Sequence, residues 1–258
     1  MTDIYLRNVL VKLPTSFNHL SVEEFYEKYG EPETVTIKLR DGNPPPPNAP
    51  PKAVIPLYLG MKAYMFKLQD ADILLSDFGE TFRPSDVRRG EDCHTPPGAR
   101  PPEARFEPEA PLSYSADIWS LAVSIYEIVG MKTIFSNEIV PDDEMVSYHI
   151  DVLGQMPTNW WERWEGRGEF FDEEGRPTKR ELWPELEQNF EERVQCFRRR
   201  KPDLGVFGEE ETRAFLDLMR RMLTFQPENR LTVEEVLGSE WMVKWVLPDL
   251  ERCRNSSE

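Results

Sequence analysis

Two acidic residues of the sequence lie where metal or proton chemistry is feasible. Asp3 comes five residues before Asn8, at the start of an apolar, β-branched segment. Asp77 ends a second apolar segment and precedes Phe78 and Gly79, and glycine lets the chain turn directly after a metal-binding carboxylate. Carboxylate and amide oxygens suit hard cations. The alternatives are a chance spacing for the first pair and a plain turn for the second motif.

Three more short motifs follow at wide spacing. Pro102-Glu103 comes before the most apolar segment of the chain, residues 115–130, which contains D-I-W-S at 117–120. The P-E-N-R of residues 227–230 then precedes T-V-E-E-V-L. Each motif alone is weak, but the ordered set is informative.

In this order the motifs resemble the C-terminal half of a eukaryotic protein kinase. The kinase pattern is a catalytic loop H-R-D-x-x-x-x-N, then D-F-G, A-P-E, D-x-W-S on a central helix, and a late arginine. Here the corresponding stretches are M-T-D-I-Y-L-R-N, D-F-G, P-P-E, D-I-W-S and N-R. The resemblance covers nearly the whole chain.

A finer resemblance is to the SR-protein kinases, and within them to the fungal branch. Asn8 and Asp77 are 77 − 8 = 69 positions apart, and SR-protein kinases carry a spacer at this place. Thr2 replaces the arginine of the catalytic loop, as in the H-T-D of that family. The L-G-Q-M-P of residues 153–157 resembles the insert of the group that includes MAP and cyclin-dependent kinases. The blocks R-P-P-E-A-R-F and W-W-E-R-W-E are similar to the fungal branch.

The resemblance implies ATP and Mg²⁺ as cofactors. Asp3 would orient the substrate hydroxyl and accept its proton. Asn8 and Asp77 would hold Mg²⁺ against the ATP phosphates, Phe78 would pack beneath the site, and Gly79 would allow the turn.

Three further residues would support the site. Glu103 would pair with Arg230 inside the helical lobe and so fix the substrate-binding loop. Asp117 would accept backbone N–H groups from the catalytic loop, although a plain acid at a helix N-terminus is the alternative.

The implied reaction is ATP-dependent phosphorylation of serine in basic, Arg-rich proteins. Two departures weaken this hypothesis: the lysine two residues after the catalytic aspartate is Tyr5 here, and the histidine before Thr2-Asp3 is Met1. Because tyrosine cannot neutralise a phosphate, the alternatives are a pseudokinase that serves as a binding scaffold, or an inactive fragment.

The expected fold is mainly α: the helical C-terminal lobe of the kinase-like fold, with a short β-hairpin at the active-site loop. We expect the N-terminal β-rich lobe to be absent, since no Gly-rich loop or V-A-I-K lysine precedes the catalytic loop. The missing lobe or a partner chain would then be needed. The predicted segments of a truncated kinase domain, 1–258, are a catalytic loop at 1–13, a spacer at 14–70, the D-F-G strand and activation segment at 71–112, and a helical lobe at 113–258.

Local patterns predict the elements that position these residues. Residues 3–13 are typical of a loop that enters a buried strand, and residues 71–79 of a strand. Ser21, Glu24 and Gly30 predict a capped helix over 21–30. Residues 80–112 are predicted as loop. The other predicted helices are a buried one at 115–130, capped by Ser115, amphipathic ones at 142–153 and 209–223, and two short ones within 232–247.

Composition limits the partners. With 31 basic and 47 acidic residues the net charge is −16, which disfavours nucleic acid or an anionic membrane as ligand. No apolar run is long enough to span a membrane, and the three cysteines lack zinc-site spacing, which favours an intracellular, cytoplasmic or nuclear, setting.

Two features keep two interpretations each. The acidic clusters could dock an Arg/Ser-rich substrate or only maintain solubility; they are residues 142–144, 172–174 and 209–211. The proline-rich stretch D-G-N-P-P-P-P-N-A-P-P at 41–51 could be a stiff spacer or a polyproline docking ligand.

Overall fold

The computed structural model describes residues 4–12, 17–57, 65, 70–136, 140–201 and 204–255. The chain divides into two compact units, one of Met1–Leu10 with Ile73–Glu258 and one of Val11–Asp72. The first unit is mainly helical, in agreement with the predicted class. The predicted spacer 14–70 falls within the second unit, and the division into kinase segments stays a prediction.

The second unit contains a helix and a hairpin. Helix α1 (Val22–Tyr29) begins with the predicted capping box, in which the Ser21 side chain accepts from the Glu24 backbone and the Glu24 side chain accepts from the Ser21 backbone. Strands β2 (Thr34–Thr36) and β3 (Lys52–Val54) pair antiparallel. The proline-rich stretch thus connects two paired strands, which composition alone did not predict.

Strands β1 (Val9–Val11) and β4 (Ile73–Leu75) form the other two-stranded sheet. Backbone hydrogen bonds of 2.8 Å join Ser76 to Asn8 and Lys12 to Asp72, so the strands run antiparallel. The expectation that residues 3–13 enter a buried strand is wrong, because Leu10 of β1 is 48% exposed. Ile73 of β4, for which no burial was predicted, is 54% exposed. A two-stranded sheet buries its apolar side chains only when another layer packs on its face, and local sequence does not reveal whether that layer exists.

Helices dominate the larger unit. In chain order they are α2 (Glu103–Phe106), α3 (Tyr114–Gly130), α4 (Asp142–Leu153), α5 (Thr158–Arg163), α6 (Leu186–Phe190), α7 (Cys196–Arg199), α8 (Glu209–Met222), α9 (Val233–Leu237) and α10 (Leu247–Asn255). A π-helical turn at Glu191–Gln195 joins α6 to α7, and another at Met242–Val246 leads into α10. Within the described part of the chain, none of these helices has the length and apolar character that crossing a bilayer requires.

Helix α3 forms the centre of the main core. Trp119 and Tyr126 are fully buried, and they pack with side chains of α8 such as Phe215. The predicted cap is shifted by two residues: Ser113, not Ser115, accepts the backbone N–H of Ser115. The two serines are equally good capping residues, so the choice depends on where the preceding loop ends.

A second, mainly aromatic cluster contains a tryptophan of α5 and the tryptophan that directly follows this helix. Trp160 and Trp164 are each 1% exposed and pack with Phe106, Phe171 and Phe225. These tryptophans therefore form a core rather than a binding platform.

Gly130 tests how tightly α3 packs against the π-helical turn. A Cβ atom at this position would lie 2.6 Å from Cγ2 of Val194, which is fully buried. We expect Gly130→Ala to lower the free energy of unfolding by about 1–2 kcal/mol, because overpacking exceeds the helix-propensity gain of about 1 kcal/mol. Urea denaturation measures this change. In a Val194→Ala background the same substitution should be neutral or stabilising; equal costs in both backgrounds would contradict the packing argument.

Candidate functional site

Asp77 lies two residues after β4, in a conformation that is unusual for a residue with a side chain. Its φ of 59° and ψ of 62° place it in the left-handed region, and a single 3₁₀ turn, Phe78–Glu80, follows. Aspartate tolerates this region better than most residues, but it still costs about 1 kcal/mol or more. The turn bends the chain away from the strand, and the Asp77 side chain is exposed.

Strand pairing brings Asn8 to the same end of the sheet. The Asn8 carbonyl accepts hydrogen bonds from the Ser76 N–H at 2.8 Å and the Ser76 hydroxyl at 3.1 Å. Asn8 is only 4% exposed, and its own N–H donates to Tyr5 at 2.9 Å in a 3₁₀ turn. The structure thus places Asn8 beside the residue that precedes Asp77. Asp3 lies outside the described residues, so its position relative to this pair stays a prediction.

Phe78 differs from the expectation. Its side chain is 55% exposed, so the ring does not pack beneath the site as the resemblance implied. The physical reason is the one that exposes β4: a ring is buried only where an apolar layer lies against it. Gly79 follows in the turn with a negative φ, so here its backbone conformation does not demand glycine.

Arg230 and Glu103 form a buried ion pair in the helical unit. The guanidinium Nη1 and Nη2 donate to the two carboxylate oxygens at 2.7 and 2.6 Å, which is a bidentate geometry. The Arg230 side chain is fully buried and that of Glu103 is 9% exposed. Charges buried to this degree require complete hydrogen bonding.

The remaining donors of Arg230 meet three backbone carbonyls. Nε donates to Thr224 at 2.7 Å, Nη1 to Ser115 at 2.9 Å and Nη2 to Phe225 at 2.8 Å. All five guanidinium N–H groups are therefore used. This one side chain joins α2, the first turn of α3 and the loop after α8.

The first two turns of α3 contain one predicted residue and one that the sequence analysis missed. Asp117 is half-buried there, and its bonding to the catalytic loop stays a prediction. Ser120 is buried, and its hydroxyl donates to the Ala99 carbonyl at 2.9 Å, which ties the activation segment to α3. Its place in the D-I-W-S motif was the available signal.

Residues 80–112, the predicted activation segment, are more ordered than the predicted loop. They contain short 3₁₀ turns, and an isolated β-bridge joins Arg89 to Pro111. The Glu80 carboxylate accepts from Arg88 at 2.5 Å and contacts His94 at 3.1 Å. The hydrogen bond with Arg88 is the main cause that lowers the Glu80 pKa, and the bond with His94 lowers it further. This exposed carboxylate therefore stays ionised.

His149 of α4 is buried behind the ion pair. Its ring lies 5.1 Å from that of Trp119 and 4.4 Å from that of Phe135. Neither ring nitrogen has a hydrogen-bond partner within the described structure. The His149 pKa is lowered from 6.5 to about 3, mainly because the ring is buried and also because the positive charge of Arg230 is near. The ring is therefore neutral at pH 7.

Comparison with known proteins identifies the larger pattern. The family model described as "Protein kinase domain" matches residues 62–242. The chain is similar to the serine/threonine-protein kinase SKY1 of Saccharomyces cerevisiae, with 24% identity over 140 residues, which is 52% of this chain and 17% of that protein. It is also similar to a serine/threonine protein kinase of Aspergillus fumigatus, with 27% identity over 179 residues, which is 66% of this chain and 40% of that protein. The chain thus spans less than half the length of either relative, and the predicted resemblance is confirmed.

The ion pair predicts a large asymmetry between two glutamates. We expect Glu103→Ala to lower the free energy of unfolding by about 3–5 kcal/mol, because it leaves the Arg230 charge buried without its partner. Glu240 is the matched control: its ion pairs with Arg213 and Lys244 are on the surface and screened by solvent, so Glu240→Ala should change stability little. Urea denaturation of both variants measures the difference, and similar costs would contradict the structural importance of the buried pair.

His149 predicts a pH dependence of stability. Below about pH 6.5 the unfolded chain binds a proton at His149 that the folded chain excludes, so stability falls by up to about 1.4 kcal/mol per pH unit as the pH drops towards 3. His149→Phe should remove this term and, by eliminating two unpaired nitrogens, raise stability at pH 7 by about 1 kcal/mol. Urea denaturation from pH 7 to pH 4.5 checks both effects. His149→Leu separates titration from ring packing, and unchanged pH slopes in both variants would contradict the argument.

Proposed function

Because the chain belongs to the protein kinase domain family, we propose that it is the catalytic part of a serine/threonine kinase of the SR-protein-kinase-like type. Its reaction would transfer the γ-phosphate of ATP to serine hydroxyls in basic, Arg/Ser-rich proteins. The kinase relatives support the reaction class, and the SR-type specificity rests on the spacer, the Thr2-Asp3 dipeptide and the acidic surface.

The pairing of β1 with β4 is the observation that carries the proposal. It brings Asn8 next to Ser76 although 68 positions separate them, and Asp77 follows directly at the turn. Phosphoryl transfer depends on positioning and charge neutralisation rather than on covalent chemistry. The backbone pairing supports the proposal because it places Asn8 and Asp77 at the same end of the small sheet.

The donor set fits Mg²⁺ rather than a metal held by protein alone. No group of three His, Cys, Asp or Glu side chains that could bind a metal occurs within the described ranges. Mg²⁺ commonly uses one or two protein oxygens and takes its other ligands from phosphates and water, and Asn8 with Asp77 would supply those oxygens. When bound, the ion would neutralise charge on the phosphates of ATP.

The protein residues have separate tasks in this proposal. Asp3 would orient the attacking serine hydroxyl and accept its proton, while Asn8 and Asp77 would hold the metal ion. Glu103 and Arg230 would position the activation segment, which follows the D-F-G turn, against the helical unit. The hydroxyl of Ser120, bonded to Ala99, would add a second anchor for the same segment.

The acidic clusters support a basic substrate through the charge that internal ion pairs leave unbalanced. Asp142 and Asp143 form ion pairs with Arg100 and Arg105, so much of that cluster's charge is balanced within the chain. Arg176 likewise pairs with both Asp172 and Glu174. Each cluster still has more carboxylates than the arginines paired with it. With a net charge of −16, we propose that the surface attracts Arg-rich peptides by long-range steering.

A pseudokinase is the second candidate, and Tyr5 favours it. Kinases use a lysine at the corresponding position to neutralise a phosphate, whereas Tyr5 is half-buried and packs against the main core. A tyrosine side chain carries no positive charge, so Tyr5 cannot neutralise a phosphate as a lysine does. In this alternative the fold would bind a partner without transferring phosphate.

Activity measurements separate the two candidates. We expect the full protein that contains this chain to phosphorylate an Arg/Ser-repeat peptide, and Asp77→Asn to lower the rate by at least about 10²-fold, because an uncharged amide is a weaker metal ligand. Asp72→Asn is the matched control, since Asp72 is exposed and pairs only with Lys12 in the described contacts. Radiolabelled ATP and initial rates provide the measurement.

Three results would change the conclusion. Equal rates for wild type and Asp77→Asn would reject the assigned metal ligand. If the wild-type protein transfers no phosphate to any peptide and Tyr5→Lys does not restore transfer, the pseudokinase alternative would be favoured. An affinity for the Arg/Ser peptide that does not weaken between low and physiological salt would reject the steering role of the acidic surface.

A further inference from the structure

Four consecutive prolines lie at the tip of the β2–β3 hairpin. The paired strands are in register from Thr34 with Val54 to Thr36 with Lys52, and the connection between them carries Pro44–Pro47. The kinase resemblance gives no task to this segment. Its backbone, its exposure and its surrounding charges all point to a binding role.

The covalent chemistry of the run leaves it one conformation. Each proline ring fixes φ near −65°, and each residue that precedes a proline is excluded from the helical region. Asn43, Pro44, Pro45 and Pro46 all precede a proline. Pro44, Pro45 and Pro46 must therefore adopt the extended, left-handed polyproline II helix, whatever the rest of the chain does.

The hairpin holds both ends of this helix. At the upstream end Asp41 accepts hydrogen bonds from the backbone and side-chain N–H groups of Asn43, and Leu39 donates to the Asn43 carbonyl at 2.9 Å. At the downstream end a turn closes with Ala49 donating to the Pro46 carbonyl at 2.9 Å. A partner that binds the run would therefore pay little conformational entropy for ordering it.

Most of the proline rings are exposed to solvent and do not pack against the rest of the unit. Pro44, Pro46 and Pro47 are exposed and Pro45 is half-buried. With three residues per turn, Pro44 and Pro47 lie on one edge of the helix, which is the P-x-x-P spacing that aromatic-lined grooves accept. A stiff spacer needs no such exposed edge.

The charges next to the run are opposite in sign to those of the chain as a whole. The hairpin carries Lys38, Arg40 and Lys52 against the single acid Asp41, a local charge of +2 in a chain of −16. The three basic side chains are exposed. A groove with carboxylates on its rim would match this pattern.

We propose that Pro44–Pro47 is a docking ligand for a protein domain that recognises polyproline II helices through an aromatic-lined, acid-rimmed groove. Pro44 and Pro47 fill the groove, and the neighbouring basic side chains meet its rim. This interaction is independent of phosphotransfer, so it can hold even when the proposed reaction fails.

Titration with purified domains tests the proposal. The probe is a panel of SH3 domains, some with acidic and some with neutral rims, titrated calorimetrically against the full chain. We expect acid-rimmed members to bind, and the double variant Pro44→Ala/Pro47→Ala to weaken binding at least about tenfold. Pro32→Ala, an exposed proline of the same unit outside the hairpin, should leave the affinity unchanged.

A second variant leaves the prolines intact in case the first disrupts the hairpin. Lys38→Glu/Arg40→Glu should weaken binding to acid-rimmed domains and leave the neutral-rimmed ones unaffected, with circular dichroism showing that the fold persists. Absence of binding across the panel would overturn the proposal. So would equal affinity of wild type and a folded Pro44→Ala/Pro47→Ala protein, or indifference to the charge reversal.

Discussion

The helical unit depends on one buried guanidinium group. Arg230 uses all five of its donors, two on Glu103 and three on backbone carbonyls, and so connects segments more than 100 residues apart. Its guanidinium also lies 5.1 Å from the ring of Trp119, at the centre of the main core. A charge in such a place is tolerable only with every partner in position, so the pair selects one arrangement of α2, α3 and the loop after α8.

The same arrangement determines how the predicted activation segment is held. Glu103 belongs to α2, directly after the loop that Ser120 ties to α3 through Ala99. At the other end of the segment, Asp77 emerges from β4, whose pairing with β1 brings Asn8 to the turn. The proposed metal ligands and the proposed substrate loop are thus anchored by separate interactions, one in a small sheet and one in the helical core.

Much of this could be predicted from short patterns whose physics is local. The capping box at Ser21 and the bounds of α4 follow from side-chain chemistry within a few residues, and the structure confirms both. The kinase resemblance followed from ordered motifs, and comparison with known proteins confirms it. The wrong predictions concern burial: the apolar residues of β1, and Phe78, are exposed because their packing depends on a layer that the local pattern does not reveal.

The amino-acid sequence by itself determined the capped helix α1, the long helices α3, α4 and α8 and the conformation of the proline run, because propensity, capping and proline geometry act over a few bonds. Only the tertiary structure decided which partners these residues meet. The bond between Asn8 and Ser76 and the five bonds of Arg230 join positions that are far apart in the chain. It also left the ring nitrogens of His149 without a hydrogen-bond partner among the described residues, since a ring enclosed by Trp119 and Phe135 must give up its hydration to fill the core.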